Sequence, residues 1–177
     1  MRMNSAAPWR EFLAVECGLQ RPRSALLRWP PDTHLALAVL AAVPVWIVLA
    51  WTVEPSMFQP RGLAGWLAFV LLWPLIEELL FRGLLQGQLL RLSQHAEQPR
   101  RIGPVSWANA LTTLAFVALH LSVQPLVWAL AVALPSLVFG HLRERFASVW
   151  PAVGLHMIYN AGFVAAGWVA GYHSPLS

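Results

Sequence analysis

The sequence predicts an all-α membrane protein, a polytopic bundle of about five transmembrane helices. Of its 177 residues, 58% are apolar and 11% are charged, whereas a soluble domain carries roughly 25% charge. Several apolar runs reach the roughly 17–25 residues that cross a bilayer. The basic residues, twelve Arg and no Lys, fall between those runs, where membrane topology rather than nucleic-acid contact accounts for them. No nucleic-acid partner is expected. The expected surroundings are membrane lipid and a membrane-associated protein or peptide, and the oligomeric state is left open.

Residues 1–33 carry Arg2, Arg10, Glu11, Glu16, Arg21, Arg23, Arg28 and Asp32. They lack the unbroken apolar core of a signal peptide. This stretch reads as a cytoplasmic N-terminal arm, either an amphipathic surface helix over about Trp9–Leu19 or a disordered tail. Cys17 is the single cysteine, so no internal disulfide can form, and it is expected to be incidental.

Residues 34–177 form the expected membrane domain. His34 to Trp51 reads as the first span, with a tolerated kink at Pro44. Glu54 to Arg61 reads as a loop. Gly62 to about Leu92 is one helical pattern of about 45 Å at 1.5 Å per residue, longer than the roughly 30 Å hydrocarbon core. It must tilt, kink at Pro74 or project. Pro104 to His120 is the next span, with Pro104 placed to start a helix. Pro125 to about His141 follows, then a charged loop at Arg143-Glu144-Arg145. Pro151 to about Tyr172 closes the bundle, rich in small residues that allow close helix approach. Five spans with a cytoplasmic N-terminus put ten arginines on the cytoplasmic side and leave Arg61 on the other, a strong positive-inside bias. No long internal repeat and no second domain are evident.

Candidate functional residues stand out by polarity at membrane depth. Glu77, Glu78 and Arg82 lie within six residues of an apolar stretch, and each ionisable group there costs about 2.5–3.5 kcal/mol on insertion scales. Glu78 and Arg82 are four apart and share a helix face. Glu77 points about 100° away, and one carboxylate of such a pair is suited to general-base work. His120 ends the third span in Phe116-x-x-x-His120. His156 and Asn160 face the same way on the last span. A glutamate with a histidine can deprotonate water for attack on a peptide carbonyl. A histidine and an asparagine can donate hydrogen bonds to the developing oxyanion. On simple counting Glu77 lies in the cytoplasmic half while His120 falls near the far end of its span, a difference that a tilted helix, a boundary shifted by a few residues or a hydrated cavity can reconcile.

The motifs Glu77-Glu78-x-x-x-Arg82, Phe116-x-x-x-His120 and His156-x-x-x-Asn160 resemble, in order and spacing, the signature of the CAAX-protease and bacteriocin-processing family. The run from Leu137-Val138-Phe139-Gly140 to Val149-Trp150-Pro151-Ala152-Val153-Gly154-Leu155-His156 resembles that family's approach to its last motif. The resemblance covers about residues 62–170 and implies an intramembrane endopeptidase of a bacterial inner membrane. It implies that Glu77 and His120 activate water, that His156 and Asn160 form the oxyanion hole, and that Glu78 and Arg82 support them. The sequence lacks the His-Glu-x-x-His helix of zincins, so no cofactor is expected. Zn²⁺ held by Glu77, His120 and His156 is the alternative. The rival reading is a non-catalytic membrane protein, either a bacteriocin immunity factor or an ion or proton transporter using the Glu/Arg/His cluster.

Overall fold

Helices dominate the residues that the computed structural model describes, which are 8–23, 32–52, 60, 62–94, 101–102 and 105–173. Helix α1, Pro8–Glu11, continues as a π-helical turn over Phe12–Glu16. Helix α2 is Thr33–Thr52. Helix α3 runs over Gly62–Ser93 and contains π-helical turns at Ala68–Leu72 and Leu79–Leu85. A minimal antiparallel ladder pairs β1, Arg101–Ile102, with β2, Val105–Ser106. Helix α4 is Trp107–Leu121. Helix α5, Leu126–Phe146, pauses at Val132. Helix α6 is Trp150–His173.

Helices α2, α3, α5 and α6 are long and apolar enough to cross a membrane, and α4 is a shorter apolar helix of 15 residues. The chain is an integral, polytopic helical membrane protein. Its outward side chains fit lipid: on α2, Leu37, Leu40 and Trp51 are each more than 60% exposed, which in water would be an aggregation-prone face.

Local chemistry explains several boundaries. The side chain of Ser106 accepts a hydrogen bond from the Asn109 N–H at 3.0 Å and caps α4. The expected start at Pro104 and most of the expected loop at 54–61 lie outside the described residues. The expected charged loop at Arg143-Glu144-Arg145 is instead helical. Phe139, Leu142 and Phe146 give this stretch a buried apolar face at helical spacing, and α5 ends only where Ala147 turns left-handed, at φ 50°.

The chain divides into two compact units, one from residues 1–26 and 77–152, the other from 27–76 and 153–177. Phe116, Phe139, Leu142, Phe146 and Val149 form the apolar core of the first. In the second, α6 packs on α2. Gly162 leaves room for Trp46, whose ring lies 2.0 Å from where a Cβ would stand. The Tyr159 hydroxyl donates to the Ala38 carbonyl at 2.8 Å, and its ring meets Trp46 edge-on.

Candidate active site

The first unit holds Glu77, Glu78, Arg82 and His120; the second holds His156 and Asn160. In the first, three helices present polar residues at four-residue spacing. Glu78, Arg82 and Gln86 form a fully buried stripe on α3. Ser136, Gly140 and Glu144 form the matching stripe on α5, and Asn109 and Thr113 lie on α4.

Arg82 is the hub. Its Nη1 pairs with Glu78 Oε1 at 3.2 Å, with both side chains fully buried. Its Nη2 donates to the Ser136 hydroxyl at 2.7 Å and to the Ser136 carbonyl at 3.1 Å. The guanidinium carbon lies 4.6 Å from the Phe116 ring centre and 5.3 Å from that of Phe139. Two aromatic faces and three oxygens therefore replace the water lost by a planar cation, a task suited to arginine rather than lysine. Glu77, half-buried, adds to the field on Arg82 after Glu78. From Ser136 the bonds continue: its hydroxyl donates to Thr113 at 2.9 Å, and Thr113 donates to Asn109 at 3.4 Å. One turn further along α3, Gln86 Nε2 donates to the Gly140 carbonyl and to Glu144, which also accepts from Ser106.

These bonds fix the register of α3 against α4. Gln86 and Ser106 meet on the same carboxylate, while Arg82 stacks on Phe116. The two helices thus run in opposite directions. One four-residue step, about 6 Å, carries α3 back from Arg82 to Glu78 and α4 onward from Phe116 to His120.

His120 stacks on Phe116 with ring centres 4.3 Å apart. Its Nδ1 lies 2.9 Å from the Phe116 carbonyl. A carbonyl can only accept, so Nδ1 carries the proton and the neutral ring keeps its lone pair on Nε2. That nitrogen can accept a proton from water.

The π-helical turns carry a further consequence. At the end of each, an N–H bonds five residues back instead of four, so the following carbonyl loses its ordinary α-helical donor. The Trp73 N–H goes to the Ala68 carbonyl, and Pro74 has no N–H, so the Phe69 carbonyl is open. Asn160 Nδ2 donates to it at 2.8 Å. Within the second unit Asn160 is thus tied across helices through one amide hydrogen and keeps another. His156, one turn earlier on the same face of α6, is buried. The Gln86 N–H likewise goes to the Phe81 carbonyl, and the open Arg82 carbonyl accepts from Arg143 Nε at 3.2 Å.

Among the described residues, no three His, Cys, Asp or Glu side chains are grouped to hold a metal ion.

The sequence matches the family described as type II CAAX prenyl endopeptidase, Rce1-like, over residues 58–162. That is more than half of the chain and includes Glu77, Glu78, Arg82, His120, His156 and Asn160. No curated protein and no solved structure matches the chain. The chain belongs to the Rce1-like family of CAAX membrane proteases.

Proposed function

We propose that the chain is an intramembrane endopeptidase that hydrolyses a peptide bond in a membrane-associated polypeptide, with a prenylated CAAX-type tail as the first substrate to test. Glu77 takes a proton from water, with His120 Nε2 orienting and assisting. The hydroxide adds to the scissile carbonyl. His156 and the second Asn160 amide hydrogen donate to the oxyanion. Collapse breaks the C–N bond, and the proton held by Glu77 passes to the leaving amine. Glu78 and Arg82 hold the segment that carries Glu77. The arginine distribution supports a cytoplasmic N-terminus, and a bacterial inner membrane is the proposed location.

The observation that carries this reading is the contrast between adjacent glutamates. Glu78 is held in a fully buried pair with Arg82, while Glu77 beside it is half-buried, and in the same unit His120 bonds the Phe116 carbonyl through Nδ1, which leaves Nε2 to accept a proton. The test is purified protein in proteoliposomes with a farnesylated CAAX peptide, following release of the C-terminal tripeptide. Wild type releases it, Glu77→Ala loses at least about 10³ of the rate, and a chelator changes nothing. Ion flux without cleavage overturns the enzyme reading. Chelator loss reversed by Zn²⁺ overturns the metal-free step.

A further inference from the structure

Residues 12–20 lie outside the stretch that matches the family, yet they are built into the first unit. The Gly18 carbonyl accepts from the Val149 N–H at 2.9 Å, and the Arg23 N–H donates to the Phe146 carbonyl at 3.0 Å. Ser148 Oγ donates to the Gln20 carbonyl, and Gln20 Nε2 donates to the Ala147 carbonyl. Glu16 accepts from Arg91 and Gln88 on α3.

Two glycines exist where this segment passes. A Cβ on Gly87 would stand 2.0 Å from the Glu16 carbonyl oxygen. Gly18 has φ +67°, and a Cβ there would stand 2.5 Å from the Arg143 guanidinium carbon. Arg143 itself is 4% exposed. Its Nη2 donates to the Glu16 carbonyl at 2.8 Å and the Val15 carbonyl at 3.3 Å, while its Nε holds the Arg82 carbonyl opened by the π-helical turn.

We propose that residues 12–20 form a docked strap and that Arg143 is a positioning residue, bridging the strap to the backbone of the π-helical turn that carries Arg82. Its catalytic consequence rests on the endopeptidase reading; its structural part does not. One guanidinium fork spans three carbonyls on two segments, which a lysine ammonium on a single stem does not reproduce.

Cys17, the single cysteine, sits in the strap and is 7% exposed, so its maleimide labelling rate reports docking. In the full-length reconstituted protein, Gly87→Val and Arg143→Lys label at least tenfold faster than wild type. Gly154→Ala, where a Cβ would meet nothing, labels as wild type. In the same two variants, deuterium exchange rises in peptides over Leu79–Leu85 and stays unchanged over Thr33–Thr52. If wild type cleaves the farnesylated peptide, Arg143→Lys lowers kcat at least tenfold with KM within twofold. Wild-type labelling as fast as in denatured protein, or equal rates in wild type and both variants, overturns the strap. Fast labelling with unchanged exchange over Leu79–Leu85, or wild-type behaviour of Arg143→Lys, overturns the positioning role.

Discussion

Replacing Arg82 by methionine tests the buried pair at the centre of the first unit. The partners stand 3.2 Å apart with no exposed surface. At an effective dielectric of about 20 their attraction is about 5 kcal/mol. Arg82→Met also removes the donor shared by the Ser136 hydroxyl and carbonyl and the cation between Phe116 and Phe139. Stranding one member of a buried ion pair typically costs about 3–5 kcal/mol, and that loss is expected here. Neutralising the partner relieves most of the penalty, so E78Q/R82M should lie within about 2 kcal/mol of wild type. Unfolding titrations in mixed micelles measure all four corners of the cycle. A loss under about 1 kcal/mol for Arg82→Met, or a double variant less stable than that single one, refutes the buried-pair account.

Asn160→Ala should cost only about 1 kcal/mol of stability, in line with measured interhelical hydrogen bonds in membranes, yet lower kcat by about 10²–10³ as the loss of an oxyanion donor; equal small effects on both contradict the assigned role. Gly162→Leu should destabilise by at least about 1–3 kcal/mol through overpacking, and Trp46→Ala in the same chain should recover part of it, as thermal unfolding will report. Nitrogen NMR of labelled His120 should find the proton on Nδ1 in the neutral ring; protonated Nε2 there contradicts the bond to the Phe116 carbonyl. Burial raises the Cys17 thiol pKa, with Arg143 opposing the shift. A thiol pKa raised on folding stabilises the docked strap below the unfolded value and loses that contribution as pH rises through the folded value. Exchange of strap amides, corrected for intrinsic rates, should therefore quicken at alkaline pH in wild type and less so in Cys17→Ala.

Hydropathy made the spans legible because lipid solvation acts on every residue of a helix at once. The motif residues were legible because ionisable groups at depth are costly and few. The rest of the polar network was harder to see. Gln86 continues the Glu78–Arg82 stripe at the next four-residue step, and Ser136, Gly140 and Glu144 repeat that step, a period visible in the sequence but diluted by the uncharged members. Glu144 and Arg143 read as loop charges because their spacing from Phe139 and Phe146 matters only once α5 is extended. The role of Arg143 could not be read at all: it depends on a carbonyl opened by a π-helical turn, which no residue type announces. The N-terminal segment, read as a surface helix or a tail, is held largely through its backbone carbonyls, and those leave no mark in composition.

The most direct test of the mechanism is the turnover of Glu77→Gln, His120→Ala and the double variant on one farnesylated peptide. Groups that activate the same water act as a unit, so their losses do not multiply. The expected result is a double variant no slower than the slower single one, each at least about 10³ below wild type. Losses that multiply, or a Glu77→Gln protein as fast as wild type, contradict a shared water held by these two side chains.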